Sequence, residues 1–548
     1  MSIADSLKKR KTILWVIILT AFLIRFSFVG SMDFYTDANV DSTRLFVGEG
    51  ISPWIGTAEQ PPVLTWMSAI FVKIFGFSEF SMRLVSVLLG TFTVILIYYL
   101  SRLWYGPKHA LLSALLLAVI PIHIIYSRVA YREAVQTFFL VGAIFFMELV
   151  QNEKIKARYA GLCFAGILFA LSFLTKYNAV IIWGIYCTFL IWHSWLDKNK
   201  LNRVWKIFKE LVVANLAALI FIIFAIVLPT GISRMIHVAY NIFDWSIRIN
   251  AGEMTNPAYH YFLILFDALS PLLYFVFVLS AAYLIFLAFK KRCRADILLM
   301  VLFFVYFIII NIQSTKYSKY LVLVIPFMAI IMSRFLMNIH KKSRSLFIPI
   351  VLILVFSATG WSMYEIAKYN DYTVWNDMGD YINNNFPEDT VVYVNDFFYH
   401  HAKNYIDNNL NFSRGPFSLK EGDLVILNWV LPGSIIRTED PLGQSIINSK
   451  KHLPLRYDYV MDYNSNIYPL IKDDKLVGVF GNGKVNSTWL FQITEPKFIG
   501  VEFKDEGGDH FSRHSKIWGI ICKTSFIKNA MFRFLSERQT ETIQGNCR

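Results

Sequence analysis

The sequence is short of charge and of cysteine. Only 17% of its 548 residues are Asp, Glu, Lys or Arg, and cysteine occurs 5 times. Cys163 and Cys187 fall inside apolar runs, Cys293 sits in a basic loop, and Cys522 and Cys547 lie near the C-terminus. No pair has zinc-ligand spacing, which argues against a structural zinc module. Cys522 and Cys547 are open to either a disulfide, if their region is extracytoplasmic, or two free thiols. There is no low-complexity tract, no tandem repeat and no Gly-rich phosphate loop. Acids are fewer than bases, 39 against 53, for a formal net charge of +14. Such an excess can mark a nucleic-acid binder, but these bases form no compact patch. They stand at the ends of apolar runs, where charge sets membrane topology.

Hydrophobic residues make up 55% of the chain and aromatic residues 16%. A soluble domain has about 45–50% apolar residues and no runs approaching ~20 of them. Here such runs recur from residue 13 to about residue 363, each long enough to cross ~30 Å of hydrocarbon as a helix. The pattern predicts an α-helical polytopic membrane protein with about 11 spans: 13–30, 84–103, 109–126, 133–150, 158–175, 179–196, 210–230, 258–289, 296–312, 320–338 and 346–363. Lys8, Lys9, Arg10 and Lys11 precede the first run, the charge order of a cleaved signal peptide. A retained helix is preferred, because no small-x-small site follows. The stretch 258–289 exceeds one span and is expected to begin with a helix lying in the interface.

With the N-terminus in the cytoplasm, every inner loop is basic. These loops are Arg102 to Lys108; Lys154, Lys156 and Arg158; Lys198 to Lys209; Lys290, Lys291, Arg292 and Arg294; and Lys341, Lys342 and Arg344. The same count leaves three outer segments that could carry function, near 31–83, 127–133 and 231–257. Long connections in compact proteins are usually functional. In the first, Pro61-Pro62 is followed by Val63, Met67, Ile70, Phe71 and Ile74 at helical spacing, which predicts an amphipathic helix over 62–76 on the outer leaflet. From about 364 the composition shifts toward Asp, Asn, Gly and Pro. Runs such as Thr390 to Val394 and Leu424 to Leu427 look like buried strands. Residues 1–363 are therefore expected to form a transmembrane module, and 364–548 a soluble extracytoplasmic α/β or α+β domain.

The candidate chemistry sits at the expected outer span ends. The first outer loop reads Tyr35-Thr36-Asp37-Ala38-Asn39-Val40-Asp41. Composition alone makes Asp37 a solvated loop residue; as chemistry, a carboxylate held there can deprotonate an acceptor hydroxyl. The second outer turn reads Ser127-Arg128-Val129-Ala130-Tyr131-Arg132-Glu133. An anion at a helix N-terminus is favoured by the macrodipole whatever its role. Glu133 could equally orient a sugar or acceptor, or help Asp37 hold a metal. Lys176 ends Phe173-Leu174-Thr175-Lys176, and Lys316, Lys319 and Tyr320 lie in Ser314-Thr315-Lys316-Tyr317-Ser318-Lys319-Tyr320. Lysines on the outer side run against the topogenic bias. An anionic lipid phosphate explains them, as does snorkelling toward headgroups.

Taken together, these segments resemble a known superfamily. Asp37 to Gly50, Gln60-Pro61-Pro62, and Ser78-Glu79-Phe80 with Arg83-Leu84 are similar to the N-terminal signature of GT-C glycosyltransferases. The branch is that of the lipid A aminoarabinose transferase and the protein O-mannosyltransferases. Ser127-Arg128 with Glu133-Ala134, then Phe173 to Lys176, then Lys319-Tyr320 with Pro326, match later motifs in the same order, over about residues 13–363. The resemblance implies that Asp37 is the catalytic carboxylate and Glu133 the second acidic position. It places Lys176 and Lys319 near a donor phosphate. Lys316, Tyr320, Asp41 and Arg128 join them as candidate substrate contacts. Ala38 stands where the family often has a second acid, which weakens a claim for a metal; Asp41 is a candidate replacement. Lys319 stands where the family often has Arg, a point charge in place of a fork.

The function expected from this reading is transfer of a sugar from a polyprenyl-phosphate donor to a glycan, lipid or protein acceptor on the extracytoplasmic face, with inversion. No cytoplasmic loop is large enough for a nucleotide-binding domain, so a flipped lipid-linked donor fits. No cofactor is required by the sequence, and a divalent metal ion is left open. The expected location is the plasma (inner) membrane, as a multi-pass protein. The alternative is a secondary transporter or flippase. Such proteins place charges at mid-membrane, where this chain has mainly Arg25, Glu148 and Asp267.

Overall fold

The computed structural model describes residues 3–30, 40–48, 61–196, 200–230, 259–291, 293–312, 317–370, 374–394, 402, 405–411, 417–428, 474–480 and 488–499. The chain divides into two compact units, which part between Lys368 and Tyr369.

The first unit is helical. Its helices are α1 (Ile3–Phe26), α2 (Val40–Gly48), α3 (Val63–Phe75), α4 (Glu79–Tyr105), α5 (Pro107–Val119), α6 (Pro121–Tyr126), α7 (Arg132–Gln151), α8 (Arg158–Phe173), α9 (Ala179–Trp195) and α10 (Lys200–Thr230). They continue with α11 (His260–Leu269), α12 (Pro271–Lys291), α13 (Arg294–Ile312), a 3-10 turn at Ser318–Leu321, α14 (Ile325–Lys342) and α15 (Arg344–Asn370). Among the described residues 6 helices, α4, α7, α10, α12, α13 and α15, have the length and hydropathy of a membrane crossing. Four shorter apolar helices, α3, α5, α8 and α9, accompany them. Each expected span meets a helix. Not every one of those helices is long enough to cross alone.

Local chemistry sets the breaks. Ser78 and Ser81 form a reciprocal cap at the start of α4, with Ser81 N–H donating to Ser78 Oγ at 3.3 Å and Ser78 N–H to Ser81 Oγ at 3.1 Å. Gly106, at φ 87°, takes the left-handed turn between α4 and α5 that a side chain would resist. The expected span 109–126 is divided, because Pro121 has no N–H to continue the ladder and Ile120 is extended, so α5 ends and α6 begins. The stretch 258–289 is divided likewise, at Ser270, whose φ is 75°. The expected helix over 62–76 is α3. Val63, Leu64, Thr65, Ser68, Ala69 and Val72 are buried, while Ile70 and Ile74 point outward.

Burial separates the interior helices from the peripheral ones. Of the apolar spans, 72% of α4 and 78% of α7 is buried within the protein, against 28% of α10 and 17% of α15. The exposed sides carry Phe208, Leu219, Phe224, Phe289 and Phe356. Faces this apolar are stable only against hydrocarbon. The chain is a multi-pass integral membrane protein. Where α8 and α10 cross, Gly166 lies against the Ala214 carbonyl, leaving no room for a Cβ.

The second unit is built on a mixed sheet. Its described elements are α16 (Val374–Asn385), β1 (Val391–Tyr393), β2 (Asn409–Asn411), β3 (Phe417–Leu419), β4 (Leu424–Asn428), β5 (Lys475–Phe480), β6 (Thr488–Gln492) and β7 (Lys497–Ile499). The 5-stranded sheet runs β2-β1-β4-β6-β5. β1 is parallel to β2 and β4, and β6 is antiparallel to β4 and β5. A separate antiparallel pair joins β3 to β7. Trp375, Met378 and Ile382 of α16 pack on Val392, Leu424, Ile426 and Leu490, the buried face of this sheet. The two expected strands are β1 and β4.

Candidate active site

The site is assembled by one end of the helical unit. Three turns meet there: the α6–α7 turn, the α8–α9 turn, and the 3-10 turn that precedes α14. Glu133, in the first turn of α7, is almost wholly buried, and its Oε1 accepts from Lys176 Nζ in the α8–α9 turn. The same ammonium lies 4.9 Å from the ring centroid of Tyr320. Lys319 Nζ lies 4.5 Å from the ring of Tyr317 and 5.8 Å from that of Tyr320. The Tyr320 ring thus attracts two ammonium groups through its electron-rich faces. Without the ring and the carboxylate, cations this close would repel one another.

Hydrogen bonds hold these turns in place. Gln136 Nε2 donates to the Lys176 carbonyl at 2.6 Å and to Asn178 Oδ1 at 2.7 Å, and Ser172 Oγ donates to the Gln136 carbonyl at 2.9 Å. Tyr306 OH donates to the Tyr320 carbonyl at 2.8 Å, and Tyr126 OH is 2.9 Å from Ser318 Oγ. The Val63 N–H donates to the Leu174 carbonyl at 3.2 Å, which ties the start of α3 to the turn bearing Lys176. Glu133 Oε2 is buried and makes no hydrogen bond among the described residues. A buried carboxylate oxygen left open is costly and suits a donor group on a ligand.

The structure therefore gathers Glu133, Lys176, Lys319 and Tyr320 into one cluster. Arg128, read as a substrate contact, directs its Nη1 to the carbonyls of Ile24 at 3.0 Å, Arg25 at 3.2 Å and Ser27, all at the end of α1. Burial, with the Arg83 charge nearby, pulls the Arg128 guanidinium down to about 10, still charged at neutral pH. Asp37, Lys316 and the side chain of Asp41 lie outside the described residues. Among the described residues no group of three His, Cys, Asp or Glu side chains is placed to hold a metal. Sequence reasoning missed Gln136, Tyr306 and Tyr317. Gln136 follows Glu133 by one helical turn, a spacing that puts both on one face. Tyr306 carried no such signal, because it lies inside an apolar run.

Residues 59–232 match the family model described as dolichyl-phosphate-mannose-protein mannosyltransferase. The undecaprenyl phosphate-alpha-4-amino-4-deoxy-L-arabinose arabinosyl transferase of Pseudomonas aeruginosa is 29% identical over 144 residues, 25% of this chain and 26% of that protein. A putative mannosyltransferase of Bacillus subtilis is 26% identical over 122 residues, 22% of this chain and 18% of that protein. The matches thus span about a quarter or less of those curated relatives. Among solved structures, ArnT of Cupriavidus metallidurans bound to undecaprenyl phosphate superposes with a TM-score of 0.58 at 12% identity, covering 87% of this chain and 97% of that one. The likeness is one of fold. The apo oligosaccharyltransferase of Archaeoglobus fulgidus superposes with a TM-score of 0.52 at 13% identity over 73% of this chain and 64% of that one. The family match at 59–232 spans the turns that bear Glu133 and Lys176, and Lys319 and Tyr320 lie beyond it.

Proposed function

We propose that this chain is a membrane glycosyltransferase that moves a sugar from a polyprenyl-phosphate donor to a hydroxyl-bearing acceptor on the extracytoplasmic face. The observation that carries the reading is the cluster of Lys176 and Lys319 around Tyr320, with Glu133 behind Lys176. Two ammonium groups held in a half-buried site form a receptor for a phosphate, because the effective dielectric there is well below that of water. Relatives and neighbours support the same donor class: the Cupriavidus protein was solved with undecaprenyl phosphate.

In the proposed reaction Asp37 takes the proton of the acceptor hydroxyl as its oxygen attacks the anomeric carbon. The bond from that carbon to the phosphate oxygen breaks, and polyprenyl phosphate leaves with the bonding pair. Lys176, Lys316 and Lys319 stabilise the charge that grows on the phosphate. Attack in a single displacement inverts the anomeric carbon. Glu133 orients Lys176, and its open Oε2 is available to a hydroxyl or ammonium of the sugar. The N-terminus and basic loops lie in the cytoplasm in this reading, and the unit from about 364 lies outside, where it meets the acceptor.

A transporter is the weaker reading. Two of the charges that suggested it are occupied: Arg25 donates to backbone carbonyls, and Glu148 is bound by Arg294, Tyr186 and Trp104. Purified protein in nanodiscs, supplied with a synthetic polyprenyl-phosphate sugar and an envelope extract as acceptor, tests the proposal. Asp37→Asn keeps shape and removes basicity, so turnover should fall by at least ~100-fold, the scale of a lost general base, with insertion unchanged. Near-normal transfer by that variant would remove Asp37 from the mechanism. Solute uptake without any sugar transfer would overturn the enzyme reading.

A further inference from the structure

Helix α11 borders the site. It packs against the 3-10 turn that bears Lys319 and Tyr320, and against α6, which leads into the turn before Glu133. Its second residue, Tyr261, is fully buried. The Tyr261 ring lies 6.0 Å from that of Phe307, and Phe262 meets the same Phe307 ring edge-on at 5.4 Å. The far end of α11 is pinned as well, since Trp361 Nε1 donates to the Asp267 carbonyl at 3.0 Å. Ser270, which separates α11 from α12, has φ 75° and ψ 152°, a conformation almost restricted to glycine. Leu269, Ser270 and Leu273 are wholly buried around that joint, so packing over-determines the direction of α11 and with it the placement of Tyr261.

The Tyr261 hydroxyl is buried and makes no hydrogen bond among the described residues. The Tyr317 N–H approaches the phenol oxygen without completing a bond, and an amide N–H can only donate. The phenol proton is therefore unspent. Two other tyrosines of the site are engaged: Tyr306 OH donates to the Tyr320 carbonyl, and Tyr126 OH pairs with Ser318 Oγ. For folding alone phenylalanine would serve better at 261, because a desolvated hydroxyl with no partner costs stability and its removal costs none. The surroundings show what this proton can meet. Tyr320 is an electrostatic neighbour of Tyr261, and the ammonium groups of Lys176 and Lys319 lie 4.9 and 5.8 Å from the Tyr320 ring centroid. Cations gather an anion, and an anion accepts hydrogen bonds. The opposite sense holds on α7, where Glu133 Oε2 and Gln136 Oε1 are buried acceptors without donors among the described residues. Gln136 Nε2 is committed to the Lys176 carbonyl and to Asn178 Oδ1, which fixes the orientation of that amide. Acceptors on α7 suit the hydroxyls of a sugar, and a donor beside the ammonium groups suits a phosphate.

We propose that the Tyr261 hydroxyl is a phosphate ligand, donating a hydrogen bond to a phosphate oxygen of the polyprenyl-phosphate sugar beside the ammonium groups of Lys176 and Lys319. This rests on the reading of that cluster as the phosphate site. As the bond from the anomeric carbon to the phosphate oxygen breaks, the electron pair stays on the phosphate. The phenol keeps its proton, and its hydrogen bond strengthens onto the growing charge. A neutral donor adds stabilisation there without adding a further positive charge to the cluster.

The test is Tyr261→Phe, which removes one oxygen and keeps the ring, in full-length protein in nanodiscs. Transfer from a synthetic polyprenyl-phosphate sugar should fall by about 10- to 100-fold in kcat, the scale of a hydrogen bond to a charged group. The inhibition constant of polyprenyl phosphate, which carries no sugar, should rise by about tenfold for the same reason. The unfolding midpoint should hold or rise, because an unpartnered buried hydroxyl has gone. Lys176→Ala and Lys319→Ala, measured alongside, separate the two levels of the reading. Wild-type transfer in both lysine variants would overturn the phosphate site and the Tyr261 contact with it. Impaired lysine variants beside a wild-type Tyr261→Phe would overturn the Tyr261 contact alone. A reduced kcat with unchanged inhibition by polyprenyl phosphate would place the hydroxyl on the sugar and overturn the phosphate contact. A lowered unfolding midpoint with intact kcat, or a variant that fails to fold, would assign the hydroxyl to the fold and overturn the proposal.

Discussion

Helix α7 carries a buried carboxylate near each end, about 22 Å apart at the helical rise, and the two are treated in opposite ways. Glu148, in the last turn, is saturated. Its Oε1 accepts from Arg294 Nη2 at 2.7 Å and Tyr186 OH at 2.8 Å, and its Oε2 from Arg294 Nη1 at 2.9 Å and Trp104 Nε1 at 3.0 Å. These donors come from α13, α9 and α4, so one side chain binds four helices together. Asp296 repeats the device nearby, taking Tyr105 OH at 2.7 Å and Arg334 Nε at 3.2 Å. Glu133, in the first turn, has one lysine on Oε1, and its Oε2 takes no hydrogen bond among the described residues. A saturated buried charge holds a fold together. A half-satisfied one retains the capacity to bind.

Three perturbations probe this contrast. The largest effect is expected at Glu148. Arg294→Ala leaves its carboxylate buried without its main partner, and about 3–5 kcal/mol of stability should be lost. The measurement is thermal unfolding in detergent; a midpoint within about 2 °C of wild type would show that the network is dispensable. At the other end of α7 the order of effects should reverse. Glu133→Gln removes the charge that orients Lys176, so transfer should fall roughly 10- to 100-fold, as when a charge-stabilising group is lost. Stability should move by no more than ~1 kcal/mol, because the partly exposed Lys176 can turn to water. A variant that unfolds with full activity per folded molecule would make Glu133 a second Glu148. The smallest effect is expected at Tyr320. Tyr320→Phe keeps the ring and should match wild type. Tyr320→Leu removes the cation–π contacts and should weaken donor binding by about 1 kcal/mol, roughly fivefold in donor KM. Equal behaviour of the two variants would mean that the ring serves only as packing.

Much of the helical unit was legible in the chain. Apolar runs bounded by basic loops marked the helices, because hydrocarbon demands self-satisfied backbone and leaves little freedom in composition. Lys176 and Lys319 stood out through their charge at span ends. The break at Ile120-Pro121 was harder to read, since a proline at a first helical turn and a proline within one continuous span look alike when apolar residues flank both. The amphipathic pattern of α3 marked a helix but not the side that packs on the protein. Its strongest hydrophobes, Ile70 and Ile74, face outward, as expected where the surroundings are more apolar than the protein's own small-residue contacts.

The class of the protein and the identities of its charged groups were already settled in one dimension, since both are properties of composition and order along the chain. The partnerships were decided only in three. Glu133 lies 43 residues from Lys176 in the chain, and Glu148 lies 146 from Arg294. Nothing local distinguishes a carboxylate that will be enclosed by four donors from one that will meet a single lysine. That difference arises from how helices cross, from where a tyrosine or tryptophan on a neighbouring helix happens to point, and from how many donors fit around two oxygens. Arg128 shows the same division. Its charge beside a turn is visible in the sequence, but its grip on the end of α1 exists only because folding brings the α6–α7 turn against that end, with the carbonyls of one facing the guanidinium of the other.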